Sequence, residues 1–387
     1  MMNSPTSPVV LFDDLIVEIL SFVPVKTLMQ LKCVCKSWNT IVSNPSFAKL
    51  HLQRSPRNTH LMIYTIDCSA VLFPLSSLPE NLLTAIPKYP RYPFLDMCCS
   101  DLVGSCNGLI CLVGYSRPYE WLRFWNPATN SLSDILGYSY GYRNRLTFGY
   151  DSSTDTYKVV SLSGKIVNVF SLGDNVWKNI QNFPVVSFEQ CHPCVNAGVH
   201  VSGTINWLTI PNMTEYEQKD ITIDQFVIVS LDLSTETYRK LLPPQGFVEV
   251  PPVEPAVTVL MDCLCFSHRF NGTHFVLWKM MEFGVQESWT QFLKISYQNL
   301  HIKSLRNYYD INDWLKHDSE LFLFPLCVSE SNHTLILACK QPTGFGEIIE
   351  HAIVYNWRDN RVEQKIFGDK FMWFCAKDYG ESLISTS

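Results

Sequence analysis

Hydrophobic positions along the chain change period once, near residue 60. From Leu11 to Arg54 they fall at helical intervals: Leu15 with Ile19, Ile16 with Leu20, Leu28 with Leu31, and Trp38 with Ile41 and Val42. Polar residues and prolines divide this stretch into three or four short helices. Asp13 and Asp14 open the first, Pro24 suits the first helical position of the second, and Asn44-Pro45 starts another. Residues 1–10 read as a disordered lead, 11–54 as a helical domain, 55–59 as a connector and 60–380 as a β-domain. From His60 the runs HLMIYTI and AVLFPL read as two strands around a short polar turn. Pro79, Pro87, Pro90 and Pro93 then punctuate a long excursion in which regular elements are not expected.

Beyond Gly104 a repeat sets the architecture. One half is a polar-led or Gly-led apolar run: NGLICLV, SGTINWL, MDCLCF and NHTLILA. The other half is a strand, a polar turn and a second strand: FWNPATNSL, FGYDSSTDTYKVV, VFSLGDNVWKNI, VSLDLSTETYRKL and VYNWRDNRVEQKI. Within these, Trp125 and Leu132, Tyr150 and Tyr157, Phe170 and Trp177, Leu231 and Tyr238, and Tyr355 and Val362 are each seven residues apart. Equal loop lengths predict equal hairpin registers, and the Asn, Asp, Gly, Ser and Pro between them supply the turn chemistry. A sixth copy stretches the spacing to eleven residues, from Trp278 to Trp289. Units starting near Asn107, Phe148, Ser202, Met261 and Asn332 are unevenly spaced. That fits propeller blades carrying different insertions better than a uniform solenoid. The expected fold is a small all-α N-terminal domain followed by an all-β domain, a β-propeller of five to seven blades. The HLMIYTI/AVLFPL pair would supply or complete one of them.

Composition narrows the function classes. Of 387 residues, 47% are hydrophobic and 17% charged, enough for a large core, and the 13% aromatic share favours strands. Net charge is −6, with no basic stripe, which argues against nucleic-acid binding. No apolar run is long enough to span a membrane, and the start MMNSPTSPVV is unlike a secretory signal. The expected location is therefore cytoplasmic, nuclear or both, where the fourteen cysteines stay reduced and the sequons at Asn212, Asn271 and Asn332 are silent. Cys111, Cys265 and Cys339 lie in strand-like runs and read as small buried hydrophobes.

Candidate chemistry is sparse. Cys191-His192-Pro193-Cys194 has the spacing of half a zinc site or a redox pair, but its only neighbour of ligand type, His200, stands alone. Asp151 with Asp155, Glu347 with Glu350, and His268-Arg269 carry no spacing that selects them as acid and base. No catalytic residue, cofactor or metal is expected. Met280, Met281 and Phe283 near a hairpin tip, and Tyr89, Arg91 and Tyr92 in the proline-rich excursion, have the side chains of protein contacts and are the candidates for target binding.

The stretch LFDDLIVEILSFVPVKTLMQLKCVCKSWNTIVSNPSF resembles an F-box. Leu11, Asp14, Leu15, Glu18, Ile19, Leu20, Pro24, Lys26, Leu28, Val34, Cys35, Lys36, Trp38, Pro45 and Phe47 match the motif, and Phe12 departs from it where the family has proline. The region from Gly104 to Asn360, with SCNGLICL, WNPATN, SGTINWL and SLDLSTETYRKL, resembles the plant F-box-associated domain in its kelch-like variety. The resemblance implies a non-enzymatic, substrate-recognition subunit of a cullin-based ubiquitin ligase. A Skp-family adaptor would be held by Leu11, Leu15, Ile19, Leu20, Pro24, Leu28, Val34, Cys35 and Trp38, the cullin would be reached indirectly, and the β-domain would hold an unknown target protein. A scaffold acting outside a ligase, or a propeller enzyme working on a small molecule, are the other readings.

Overall fold

The structure is a computed structural model that describes residues 13–55, 59–67, 69–75, 91–93, 100–140, 145–184, 186–187, 194–210, 221–301, 321–342, 348–367 and 370–386. Four short helices come first: α1 (Asp13–Leu20), α2 (Val25–Leu31), α3 (Lys36–Val42) and α4 (Pro45–Arg54). Asp13 and Asp14 occupy the first turn of α1, and Asn44 caps α4 by accepting the Ser46 N–H at 2.8 Å, with Pro45 at the first helical position. Pro24 stands one residue earlier than its expected place. Its ψ of 145° is extended, so it precedes α2 as the cap while its carbonyl accepts the Leu28 N–H at 3.0 Å.

The strands form six antiparallel sheets. Blade 1 holds β1 (Thr59–Thr65), β2 (Ser69–Pro74) and β3 (Arg91–Pro93), and blade 2 holds β4 (Ser100–Cys106), β5 (Leu109–Ser116), β6 (Tyr119–Asn126), β7 (Ser131–Leu132) and β8 (Leu136–Tyr140). Blade 3 holds β9 (Arg145–Asp151), β10 (Thr156–Ser163), β11 (Ile166–Ser171) and β12 (Val176–Asn179). Blade 4 holds β13 (Val186–Ser187), β14 (Val199–Val201), β15 (Thr204–Ile210), β16 (Val227–Asp232) and β17 (Tyr238–Leu241). Blade 5 holds β18 (Ala256–Leu260), β19 (Cys263–Phe270), β20 (His274–Met280) and β21 (Trp289–Ser296). Blade 6 holds β22 (Phe322–Ser329), β23 (Thr334–Pro342), β24 (Ile348–Asn356) and β25 (Arg361–Phe367). The last strand, β26 (Phe371–Gly380), returns to pair with β1 and becomes the inner strand of blade 1. Inner strands β26, β4, β9, β14, β18 and β22 each touch the next, and β22 touches β26, which closes a six-bladed propeller.

Closure explains the unbroken apolar runs. Leu61 and Ile63 pack between blades 1 and 6, while Met62 and Tyr64 pack between blades 1 and 2, so both faces of β1 are buried. Four further interblade layers repeat this arrangement around the ring.

All five seven-residue spacings are directly opposed hairpin pairs. Asn130, Asp155, Asn175, Glu236 and Asn360, one in each turn, have φ between 53° and 56°. Asn126, Asp151, Asp232 and Asn356 each accept a backbone N–H two residues on, at 2.8 to 3.0 Å. One of the five is misplaced by the sequence reading. Tyr150–Tyr157 joins the first two strands of blade 3, whereas the other four join third strands to fourth, because the same turn chemistry serves both positions. The sixth copy is also corrected: Trp289 faces Met280, and Trp278 faces Gln291. The polar-led half of the repeat proves to be the turn from first strand to second. Asn107-Gly108, Ser202-Gly203 and Met261-Asp262 take φ values between 50° and 80°, the geometry of a two-residue hairpin that follows strand twist. In the proline-rich excursion, Arg91 and Tyr92 belong to a regular strand, opposite Val71 and Ala70; β3 is an edge strand, where proline is tolerated.

Candidate functional site

The two ends of the propeller differ, and the helical segment sits on one of them. Lys49 of α4 forms an ion pair with Asp155 in the first turn of blade 3. Leu52 and Thr59 border the central channel beside Asn107, Ser202 and Asp262, all from first-to-second strand turns. Within the segment, Leu20, Leu28, Val42 and Phe47 form a core joined by Ile16, Val17, Val23, Leu31 and Ile41. Arg54 bonds Glu18 at 2.6 Å, and buried His51 meets the Val23 carbonyl at 2.8 Å, so α4 braces α1. Desolvation lowers the His51 pKa and keeps the ring neutral there.

The nine residues expected to face an adaptor divide into groups. Leu15 and Ile19 are 51% and 58% exposed, one helical turn apart, and Val34 is 64% exposed in the α2–α3 connection. Pro24 and Cys35 are exposed and Trp38 is half-buried. Leu20 and Leu28 are corrected: at 3% and 0% exposure they fill the core, because helices this short need their inward positions to hold one another. Leu11 lies outside the described residues. Phe22, which the sequence reading missed, is 54% exposed in the turn after α1, with the Arg54 guanidinium 5.9 Å from its ring.

Both ends of the channel are bordered by protein, around a cavity of about 460 Å³. Opposite the helices, Cys194 to Gly198 crosses toward the other blades: Val195 enters the layer between blades 1 and 6, and Asn196 bonds Pro255 O at 3.0 Å. Ala197 O accepts from the Thr147 hydroxyl at 2.7 Å and the Trp207 indole at 3.1 Å. His200 is committed, with Nε2 3.1 Å from Tyr150 O and Nδ1 3.7 Å from Cys106 Sγ, and burial lowers its pKa. Cys194 engages the thiol of Cys375, whose pKa this contact and burial push up; Cys191 to Pro193 lie outside the described residues.

Asp151 and His268 are held in local hydrogen bonds. Burial would raise the Asp151 carboxyl, but hydrogen bonds from Lys158, Ser153 and Thr154 outweigh it and hold it well below the usual range. Lys158 Nζ is 2.9 Å from Asp151 and also donates to Leu233 O, tying blade 3 to blade 4. His268 is buried, accepts the Trp278 indole N–H at 3.2 Å and has its pKa lowered by desolvation to about 4. Glu350 is half-buried and Glu347 lies outside the described residues. Among the described residues, no three His, Cys, Asp or Glu side chains converge to hold a metal.

Of the candidates for target contact, Met280 is buried, its sulfur accepting the Gly284 N–H at 3.1 Å; it is a core side chain, since an apolar thioether fills the interblade gap. Phe283 is half-buried under Arg239, whose guanidinium is 4.7 Å from the ring, and Met281 is 59% exposed. This hairpin lies on the helix-bearing end. Arg91 and Tyr92 take the strand positions given above, and Tyr89 lies outside the described residues. At the opposite end, Ile66, Tyr119, Tyr140, Ile166, Leu242, Val248, Ile348 and Ile349 are exposed. Tyr119 and Tyr140 meet edge to face at 6.1 Å across β6 and β8. No described helix is long and apolar enough to cross a membrane.

Comparison with known proteins follows the same division. Residues 10–50 match the family model of the F-box domain, and residues 85–385 match that of the F-box associated beta propeller domain. An F-box/kelch-repeat protein of Arabidopsis thaliana is 28% identical over 307 residues, covering 73% of this chain and 78% of the relative. A putative F-box protein of Arabidopsis thaliana is 24% identical over 88% of this chain and 97% of its own length. The F-box protein CPR1 of the same plant is 25% identical over 73% of this chain and 72% of its own.

Proposed function

The chain belongs to the F-box proteins with an F-box-associated β-propeller domain, and from that premise we propose that it is the target-selecting subunit of a Skp–cullin–F-box ubiquitin ligase. The helical segment binds a Skp-family adaptor and through it the cullin, and the propeller holds a target protein at the opposite end. The observation that carries this reading is the outward apolar pair Leu15 and Ile19 on α1, with Val34 exposed in the α2–α3 connection, while Lys49 of α4 meets the propeller. The chain itself performs no catalytic step. Holding a target lysine near an enzyme-bound thioester raises the effective concentration of the reacting pair, and that is its contribution to the reaction. Such complexes place the protein in cytoplasm, nucleus or both.

Capture of purified Skp-family adaptor and cullin tests the reading. The wild-type chain should retain both, and Trp38→Ala should weaken adaptor capture by at least ~2 kcal/mol. Full adaptor retention by a Leu15→Asp/Ile19→Asp variant would remove the assigned surface. Adaptor retained without cullin would favour a scaffold that works outside a ligase.

A further inference from the structure

The residues after β26 lie against the helical segment. After β26, residues Glu381 to Thr386 run across the helix-bearing end and touch both parts of the molecule. Leu383 joins the helical core, where every other member comes from residues 16 to 47. Ile384, its neighbour, packs instead into the layer between blades 2 and 3. The backbone between them is fixed by Asn126, a fully buried side chain at the end of β6. Its amide donates to Ser382 O at 3.1 Å and to Ile384 O at 2.8 Å. The Asn126 carbonyl oxygen accepts the Ala128 N–H and, at 3.3 Å, the Tyr379 hydroxyl, so tail, turn and closing strand share one residue. Ser382 is fully buried, and its hydroxyl accepts the Ile384 N–H at 3.2 Å. At the tail's start, Glu381 lies 3.9 Å from His60 at the beginning of β1.

We propose that this tail is a strut that holds the helical segment at one fixed position on the propeller. The Lys49–Asp155 ion pair has both side chains about half exposed, at 48% and 49%, and pairs of that kind hold little on their own. Leu383, half-buried against the helical core, supplies the apolar contact that the ion pair lacks. Fixing the segment fixes the distance and angle between the adaptor-binding surface and the far end of the propeller. This consequence rests on the function proposed above: the strut determines which target lysines come within reach. It makes Asn126 and Leu383 positioning residues.

Zero-length carbodiimide crosslinking of the purified full chain tests the strut. The reagent activates a carboxylate, and an amine already in contact displaces it to form an amide. Two ion pairs report separately: Lys49–Asp155 spans segment and propeller, and Lys178–Glu236, at 2.7 Å, joins blades 3 and 4. Leu383→Asp, and a chain ending at Glu381, should lower the Lys49–Asp155 yield at least tenfold while leaving Lys178–Glu236 unchanged. Leu383→Ile should restore the first. An unchanged Lys49–Asp155 yield overturns the strut. So does loss of both crosslinks, which would make the tail part of blade closure alone. The readout contains no adaptor, so a wild-type chain that fails to bind adaptor refutes the ligase reading and leaves this result standing.

Discussion

One end of this propeller repeats most of its described turns, and the other end is more varied. The longer connections of the repeating end are 281–288 in blade 5 and the span from β2 to β3 in blade 1. On the helix-bearing end, described turns repeat: two-residue turns at Asn107-Gly108, Ser202-Gly203 and Met261-Asp262, and side-chain-capped turns at Asn126, Asp151, Asp232 and Asn356. Neighbouring blades also bond one another at this end, as Ser153 does to Ser234 at 2.7 Å between turns and Lys178 of β12 to Glu236. On the opposite end the blades are joined by connections as unlike as 242–255, 297–321 and 368–370. The exposed large apolar residues follow the same split. Of the thirteen among the described residues of the propeller, eight lie on the far end, Leu132, Val176 and Met281 lie on the near end, and Ile135 and Tyr138 lie along the outer edge of blade 2. An end that always meets the same neighbour can repeat its turns; an end that selects a partner varies them.

That contrast can be attacked where it is strongest. Leu15→Asp/Ile19→Asp should reduce adaptor capture at least a hundredfold while thermal unfolding of the propeller stays unchanged. A matching loss in the propeller melt would show that the pair is structural. Asp151→Asn leaves the buried Lys158 without its counter-charge and should cost about 3–5 kcal/mol in urea unfolding, mostly at the blade 3–4 junction. Acid should act next. The buried, neutral His51, His200 and His268 resist a proton that the unfolded chain accepts below about pH 6.5, so their contribution is complete above that pH and is lost as pH falls. His268 accounts for about 3 kcal/mol between pH 6.5 and 4, and His268→Phe should flatten that part of the stability–pH curve. Smallest is the effect of Tyr119→Ser/Tyr140→Ser on folding, within about 0.5 kcal/mol by the same urea assay.

Much of this was legible because it is local. Helical spacing with Asn44-Pro45 placed α4, and equal turn lengths set the register of five hairpins. What was missed depends on contacts distant in sequence. Nothing in Thr59–Thr65 announces a partner at Phe371–Gly380, so the closure of blade 1 by the last strand was not readable. Asn-Gly and Ser-Gly carry a recognisable preference for positive φ, but Met261-Asp262 is held there by its blade and gives no such signal. The adaptor surface was read as a motif, which mixes side chains that face outward with those that build the core. Leu20 and Leu28 match the motif as well as Leu15 and Ile19 do, and only packing separates them. Phe22 lies in the turn after α1, where helical spacing carries no signal.

The central claim is that the two ends work independently. Affinity capture from plant extract, with proteasome activity blocked and proteins quantified by mass, compares wild type with Leu15→Asp/Ile19→Asp and with Tyr119→Ser/Tyr140→Ser. The account predicts that the helical variant loses adaptor and cullin but keeps the co-captured target proteins. It predicts the reverse for the tyrosine variant, which should keep the adaptor and lose targets. Loss of adaptor and targets together in either variant, with the fold intact, would contradict the division of labour between the ends.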